Sequence, residues 1–168
     1  MAFSVTDFKA RGLPRGGYRP SLFEVQIPGR LGQQFNFLAR ASNVPALTIN
    51  EIPVPYFGRE IKIAGNRTYA TWTTTVMLEE DFDVRDQIER WQMRINQGDT
   101  NIRAEVFEEY KEDAQVLLYG KNGTVIRRYN LVGLWPSDVG TIDLAWENSE
   151  IGTYEVTWTF DYMNEGEG

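Results

Sequence analysis

The chain of 168 residues contains no cysteine and no histidine. The missing cysteines exclude disulfide bonds and thiolate chemistry, and the missing histidines remove the commonest general base and the commonest metal ligand. These absences disfavour an enzyme, and we expect a protein without catalytic residues, metal ligands or cofactors. No apolar run approaches the roughly 18 residues of a membrane-spanning helix, so we expect no membrane anchor.

The first twelve residues, MAFSVTDFKARG, lack the charged and then apolar pattern of a secretory signal. We expect the product to stay in the cytoplasm in which it is made. An apolar content of 42% and an aromatic content of 13% argue against disorder. A chain of this length suits one domain with its own hydrophobic core.

Basic residues are scarce in the second half of the chain. Residues 1–84 hold nine Lys and Arg against eight Asp and Glu, whereas residues 85–168 hold eight against sixteen, which gives the net charge of −7. The acidity either serves solubility or forms a surface that repels a polyanion or meets a less acidic neighbouring copy. Both interpretations argue against a sequence-independent nucleic-acid clamp, which works through Lys and Arg.

Several segments alternate apolar and polar residues with the period of a strand that has one buried face. The last of them, YEVTWTFDY, covers residues 154–162. SLFEVQIP (21–28) and QQFNFLA (33–39) predict a hairpin, residues 114–135 predict another around Asn122-Gly123, and TIDLAW (141–146) is expected to pair with the last strand. The sequence therefore predicts a mainly β protein, an antiparallel sandwich or barrel with one packed helix and a long extended arm.

The arm covers residues 41–65, where the prolines predict an extended segment with short strand pieces at Leu47–Ile52 and Glu60–Ile63. The segment is long for a connector and too apolar for disorder, so we expect it to be buried against something. Its candidate contact residues are Val44, Leu47, Ile49, Ile52, Pro53, Val54, Pro55, Tyr56, Phe57 and Arg59.

One helix is predicted at about residues 83–96, with Val84, Ile88, Trp91 and Ile95 on one face. Acidic residues lie around its start, at positions 79, 80, 81 and 83. They invite a calcium interpretation but lack the spacing, the central glycine and the closing Glu of a calcium loop. We prefer a role at the helix N-terminus, where negative charge is stabilising. A second short helical or irregular piece is predicted for residues 104–111.

Three other functions fit parts of the sequence less well. Arg127-Arg128-Tyr129 fits a nucleic-acid patch, but such a pair on a strand is more typical of a solvated or interface edge. A sugar-binding β-sandwich would share this composition but would present coplanar exposed aromatic residues. A hydrolase would need a carboxylate pair such as Glu108 with Glu109, or Asp143 with Glu155, set across a cleft, and nothing in the sequence indicates a cleft.

Four segments carry a resemblance to a known family: RPSLFEV (19–25), GQQFNF (32–37), IPVPYFGREIKIAGNRTY running into WTTTVM (52–77), and GLWPSDVGTIDLAWENSEIGTYEVTWTFDY (133–162). Together they resemble the tail tube proteins of T4-like contractile-tailed bacteriophages. Residues 1–18 and the acidic end at 163–168 carry no family motif. We therefore expect an N-terminal segment, one domain over residues 19–162 and a flexible acidic tail.

The resemblance implies a structural protein whose sheets join between subunits into a ring-shaped barrel. Hexameric rings would stack into a hollow tube, with tail sheath, baseplate hub, tape-measure and tail terminator proteins as partners and DNA passing through the channel. It implies a place in the virion tail and assembly in the cytoplasm of the host bacterium. The inner tube of a DNA-free contractile injection machine is the alternative within the same fold, which the secreted ring protein of type VI secretion shares.

The resemblance also assigns roles to the arm and to acidic residues near the end of the chain. The arm would reach the neighbouring subunit and the adjacent ring, which makes it the expected main stacking element. The channel wall is expected to be acidic or neutral, because Lys and Arg contacts to phosphate would retain the DNA. The candidate channel-facing residues are Asp143, Glu155 and Asp161.

Overall fold

The computed structural model describes residues 4–14, 16–103 and 109–167 of the chain. The strands are β1 (Phe23–Gln26), β2 (Ala39–Ser42), β3 (Leu47–Tyr56), β4 (Arg59–Tyr69), β5 (Trp72–Met77), β6 (Glu112–Tyr119), β7 (Val125–Val139), β8 (Thr153–Thr159) and β9 (Tyr162–Glu167). The helices are α1 (Val5–Asp7), which continues into a wider π-helical turn at Phe8–Gly12, α2 (Gly32–Leu38) and α3 (Asp83–Ile95). The prediction of a mainly β, antiparallel protein is confirmed.

The strands form two layers that share the long strand β7. Its first half pairs with β6 and β9, and β6 pairs with β1; this is the first layer. Its second half pairs with β8, which pairs with β5, and β5 with β2; this is the second layer. Val25 and Val116 of the first layer and Val156 and Trp158 of the second belong to one buried cluster. The layers therefore pack face to face as a sandwich.

Trp158 lies at the centre of an aromatic group in this core. Its ring centroid is 5.9 Å from that of Phe35, 6.0 Å from that of Trp72 and 5.9 Å from that of Trp91. The indole N–H of Trp158 donates to the hydroxyl oxygen of Thr74, so its polar atom is satisfied inside the core. The layers and α3 are thus held by close aromatic contacts as well as by apolar burial.

The predicted strand at residues 154–162 is present as β8, although it is shorter. Tyr154, Val156 and Trp158 are buried, so the predicted inward face is confirmed. The strand ends at Thr159. Tyr162 was expected on the same buried face but starts β9 and is exposed, because the chain bends at Asp161 and leaves the second layer.

The predicted helix is confirmed as α3, with Val84, Ile88 and Trp91 buried and Ile95 partly buried against the core. One carboxylate of the preceding acidic cluster acts at its start: Oε1 of Glu79 accepts a hydrogen bond of 2.7 Å from the backbone N–H of Val84. This contact satisfies one of the amide groups that a helix leaves unpaired at its N-terminus.

The predicted strand at residues 33–39 is wrong, because the segment forms helix α2. Leu31, Phe35 and Leu38 contact the core, and their spacing of four and three residues is that of a helix face. Phe37 is 81% exposed. The partner of β1 is β6, with Val25 opposite Val116, so the predicted hairpin around Pro28-Gly29 is also wrong.

The predicted strand TIDLAW is also wrong, since residues 140–152 contain no strand. Leu144 is 89% exposed and Trp146 is fully exposed. Strand β8, the expected partner, already pairs with β5 on one side and with β7 on the other. No edge of β8 is left for a further strand.

The expected flexible tail at residues 163–168 is wrong for residues 163–167, which belong to β9. This strand pairs with β7, and Arg127 forms a 3.1 Å ion pair with Glu165 across the two strands. The hairpin around Asn122-Gly123 is confirmed, with Gly123 at a φ of 77°. The second predicted helical piece falls mainly on residues 104–108, which lie outside the described residues.

Candidate functional site

The predicted arm is a β-hairpin formed by β3 and β4, called the hairpin below (residues 47–69). Nine of the ten residues of β3 have a register partner in β4, and neither strand pairs with a strand of the two layers. At about 3.3 Å per residue, a strand of this length spans about 33 Å. The short strand pieces expected at Leu47–Ile52 and Glu60–Ile63 are thus parts of one long antiparallel pair.

The outer half of the hairpin has one apolar face. Ile52 lies opposite Ile63, and Val54 lies opposite Ile61. Tyr56 follows Val54 at the spacing of two residues and so shares this face. All five side chains are at least 38% exposed, so the hairpin presents a continuous apolar stripe that no described part of the chain covers. Ile61 and Ile63 were not among the predicted contact residues.

The opposite face of the outer half is polar. Glu51, Pro53 and Pro55 alternate along β3, and Lys62 lies opposite Pro53. The Nζ atom of Lys62 is 2.8 Å from Oε1 of Glu51, in an ion pair exposed to solvent. Because proline has no backbone N–H, the two prolines remove donors from the edge of β3 and weaken its ability to pair with further strands.

A β-bulge changes which residues share a face. The register shifts between Ile49 and Glu51, with one extra residue in β4. Leu47 and Ile49 lie on the side opposite to the apolar stripe by the alternation of β3 itself, and the bulge brings Arg67 of β4 to that side. Gly65 is required at this point, because a Cβ there would lie 2.9 Å from the backbone oxygen of Asn50.

The tip of the hairpin is a two-residue turn at Phe57 and Gly58. Both residues have positive φ, 45° and 74°, as a turn matching the twist of two strands requires. Phe57 pays a conformational cost there that glycine avoids. Its side chain is 90% exposed, and its ring contacts only that of Tyr56 among the aromatic pairs of the described chain. A strained, exposed aromatic residue at a tip is typical of a docking site.

The structure brings the predicted arm residues together on this one element, with the exception of Val44. Val44 precedes β3, Arg59 starts β4, and the others lie on β3 or in the turn. Their large apolar side chains are exposed. The expectation that the arm is buried against something is therefore not met within the described part of a single chain, and burial against another molecule stays a prediction.

The three candidate channel residues do not share one surface. Glu155 lies on the outward face of β8, between buried Tyr154 and Val156, opposite Thr75 of β5. Asp161 lies at the bend after β8, where its carboxylate is 2.7 Å from Nζ of Lys111. Asp143 is exposed in the loop after β7. Only Glu155 is thus placed on the face of a sheet.

The outward face of the second layer is rich in hydroxyl groups. It carries Thr73 and Thr75 of β5 and Thr157 and Thr159 of β8, in addition to Glu155. Thr73 lies opposite Thr157, which lies opposite Asp138 of β7. Apart from Arg40 at the edge strand β2, this face carries no basic residue in the described strands.

The segment Arg127-Arg128-Tyr129 is not at an edge of the sheet. It lies in the first half of β7, between β6 and β9. Arg127 is engaged by Glu165, and Tyr129 is partly buried against the core. The preferred interpretation as an edge is wrong, because β9 occupies that edge.

The described residues hold no group of three or more His, Cys, Asp and Glu side chains that could bind a metal ion. No helix in the described part of the chain is both long enough and apolar enough to span a membrane. Of the carboxylate pairs considered for a hydrolase, Glu108 lies outside the described residues, whereas Asp143 and Glu155 belong to a loop and to the open face of a sheet.

The model of the phage tail tube protein family matches residues 7–165. The tail tube proteins gp19 of Enterobacteria phages T4 and T6 are each 40% identical to this chain over 159 residues, which cover 93% of this chain and 97% of each relative.

Two solved structures have a similar fold. The sheath–tube complex of an extracellular contractile injection system contains a chain with a TM-score of 0.68 at 13% identity, covering 99% of this chain and 100% of that one. The tube-terminating cap of the anti-feeding prophage contains one with a TM-score of 0.70 at 14% identity, covering 92% and 93%. At such low identity, these two structures show the shared fold alone.

Proposed function

The chain belongs to the phage tail tube protein family and is a structural component of a contractile phage tail, and we propose that it builds the tube as stacked hexameric rings. The relatives at 40% identity are phage tail proteins. They favour the tube of a phage over a DNA-free injection machine, to which the similarity is one of fold. They also favour a structural role over the sugar-binding and hydrolase alternatives.

The observation that carries the proposal of stacking is the exposed hairpin. Its apolar stripe consists of Ile52, Val54, Tyr56, Ile61 and Ile63. A long hairpin with such a stripe is a liability in an isolated protein, because exposed strand edges and apolar patches promote aggregation. We infer that another subunit covers the stripe and that the hairpin reaches toward the adjacent ring as the main stacking element. Phe57 at the tip adds an aromatic anchor.

The channel wall is the second part of the proposal. Closing a sheet into a barrel removes its exposed edges, so rings whose subunits join edge to edge gain stability from closure. We infer that the second layer lines the channel, with its row of threonine hydroxyls and Glu155 facing the DNA. Such a wall offers few cations to phosphate, so DNA passes without being retained.

The remaining partners follow from the same role. A tube of this kind fits inside a sheath, starts from a baseplate hub, holds a tape-measure protein and ends at a terminator. The chain from a contractile injection system that shares this fold was solved in a complex of sheath and tube, which supports the first of these partners. We propose that assembly takes place in the cytoplasm of the host bacterium and that the product is found in the virion tail.

The test is a pair of charged substitutions on the apolar stripe. Ile52→Asp together with Val54→Asp should stop tube growth, because two carboxylates in a desolvated contact carry a large cost. The monomer should keep its strand-rich circular dichroism and its thermal transition, since both side chains are exposed in the single chain. The matched control is Ile52→Leu with Val54→Ile, which keeps the stripe apolar and should form tubes on electron microscopy grids.

Two results would contradict the role of the hairpin. Tubes of normal length from the double Asp variant would show that another surface stacks the rings. Loss of the folded monomer would show that the stripe belongs to the core of the single chain. If the unaltered protein formed neither rings nor tubes at any concentration, the proposal of self-assembly would fail independently of the hairpin.

A further inference from the structure

Four amide side chains form one row across the first layer. Gln26 of β1 lies opposite Gln115 of β6, Gln115 lies opposite Asn130 of β7, and Asn130 lies opposite Asn164 of β9. The row crosses all four strands of the layer at a single level. Residues directly opposite each other in antiparallel strands have Cβ atoms about 5 Å apart, so consecutive amides are neighbours.

The amide row lies on the outward face of the layer. The residues next to it along the strands, Val25, Val116 and Leu131, are buried in the core cluster. Successive side chains of a strand point to opposite faces, so the amides point away from the core. Asn164 is exposed, and the other three members of the row are partly exposed.

The row contains a hydrogen-bond acceptor that the described chain does not use. Atom Oδ1 of Asn130 is shielded from solvent and accepts no hydrogen bond from the described residues. Such a group is costly to leave unpaired, and because its neighbours cover it, a partner recovers that cost only by shifting the adjacent side chains. The amide nitrogen of Gln26 already donates to Oε1 of Glu24, 2.7 Å away. Primary amides both donate and accept, so the rest of the row is suited to a partner with neutral polar groups.

The charge of this face argues against DNA as that partner. The row itself is uncharged, and the adjacent row consists of Glu24, Leu117, Arg128 and Gly166. One acidic and one basic residue there give no net charge. A surface for a polyanion would instead concentrate Lys and Arg.

The two layers of a sandwich present their outward faces in opposite directions. This step rests on the proposed function: if the second layer lines the channel, the amide row must lie on the outer wall of the tube. We propose that the amide row is a contact surface on that outer wall for a surrounding protein layer, the sheath, held by neutral hydrogen bonds. Contacts of this kind depend weakly on salt.

The location of the row is tested by thiol labelling, for which the absence of cysteine from the chain is an advantage. Asn164→Cys places a single thiol at the row, and Glu155→Cys is the matched variant on the outward face of the second layer. Assembled tubes are treated with maleimide coupled to a gold particle wider than the channel. We expect labelling of Asn164→Cys along the tube wall and protection of Glu155→Cys, with both variants labelled as free subunits.

The partner is tested by placing substitutions in the phage and imaging its tails. The double variant Gln115→Glu with Asn130→Asp replaces two amides of the row by carboxylates of nearly the same shape and adds two negative charges. Asn164→Asp is a milder second variant at an exposed position. We expect tubes of normal length, most of which lack the sheath. The control is Gln97→Glu, an equivalent change in the exposed loop after α3, where the carboxylate can still accept from Thr100.

Three outcomes would overturn the proposal. Protection of Asn164→Cys in assembled tubes would place the row inside the tube or between subunits. Sheathed tails at the parental proportion in both row variants would show that the sheath does not contact the row. Folded variants that form no tubes would assign the row to contacts between subunits. Failure of the proposed function is distinct from these, because it would be seen as the absence of tubes from the unaltered protein.

Discussion

Strands β8 and β3 have similar alternation and opposite surroundings. In β8, Tyr154, Val156 and Trp158 are buried between two layers. In β3, Ile52, Val54 and Tyr56 alternate in the same way but are exposed, because the hairpin has no second layer. A β-sheet is stable when its apolar face is covered. The comparison teaches that the cover for β8 is internal, and we expect the cover for the hairpin to come from another subunit.

The largest expected difference between β8 and β3 is in the free energy of unfolding that is lost when one aromatic side chain of each strand is removed. Trp158→Ala should lower the free energy of unfolding by about 3–5 kcal/mol, because it leaves a cavity where three aromatic rings meet. Tyr56→Ala in the hairpin should change it by less than about 1 kcal/mol, since the side chain is largely exposed. Urea denaturation of the unassembled protein measures both values.

Equal losses for the two variants would break this comparison. They would mean that the hairpin contributes to the stability of the single chain as strongly as the core does. A second measurement separates folding from assembly: Tyr56→Ala should weaken tube formation, although it leaves the unfolding transition nearly unchanged.

The next effect concerns the buried hydroxyl of Tyr154 in β8. Burial raises the pKa of Tyr154 to about 12, partly opposed by the guanidinium of Arg85, which lies 5.0 Å from the ring centroid. Between pH 10 and pH 12, the folded protein therefore keeps the hydroxyl proton of Tyr154, which the unfolded chain, with a pKa near 10, has lost. Stability from this group is complete below about pH 10 and is lost as pH rises through 12.

Tyr154→Phe should remove this alkaline loss, which amounts to about 2–3 kcal/mol at pH 12. At neutral pH, the same substitution should cost little, because the hydroxyl has no hydrogen-bond partner among the described residues and the ring contact with Arg85 is kept. Thermal melts of both proteins from pH 8 to pH 12 test the difference. Parallel pH profiles would show that the hydroxyl is not shielded in the folded state.

The smallest effect compares two carboxylates. Glu79→Ala should cost about 1 kcal/mol, because Val84 then loses the acceptor at the start of α3. Glu51→Gln in the hairpin should change stability by less than about 0.5 kcal/mol, since its ion pair with Lys62 is exposed. Chemical denaturation at low and high salt distinguishes the two. A larger cost for Glu51→Gln would show that the hairpin is ordered by its polar face.

Local signals predicted the elements that depend on local interactions. Asn122-Gly123 predicted a turn with positive φ, and Gly123 has it. The stripe of Val84, Ile88 and Trp91 predicted α3 and its buried face. The prolines and apolar residues of the arm predicted an extended element, and the candidate contact residues other than Val44 lie on the hairpin.

Other elements depend on which segments meet in space. Residues 33–39 fit a strand as well as a helix in the sequence, and the position of Phe35 against Trp158 decides for the helix. TIDLAW alternates like a strand, but the sheet offers it no edge. The acidic end of the chain has weak strand propensity, and pairing with β7 makes it a strand.

The arm was predicted as an extended apolar segment, but its geometry was not predicted. The sequence indicated an apolar arm, but the register that opposes Ile52 with Ile63 and Val54 with Ile61 is visible only in the folded hairpin. The amide row was not predicted at all. Its four members lie far apart along the chain, and only the register of four strands brings them to one level.

The class of protein, the helix α3, the alternation of the core strands and the family resemblance follow from the sequence alone, because they depend on composition, local period and long ordered motifs. Tertiary structure decided the pairing of β7 with both layers, the helix α2, the strand β9 and the two faces of the hairpin. The physical reason is that a local pattern fixes which side chains share a face. Which surface covers that face depends on contacts between distant segments.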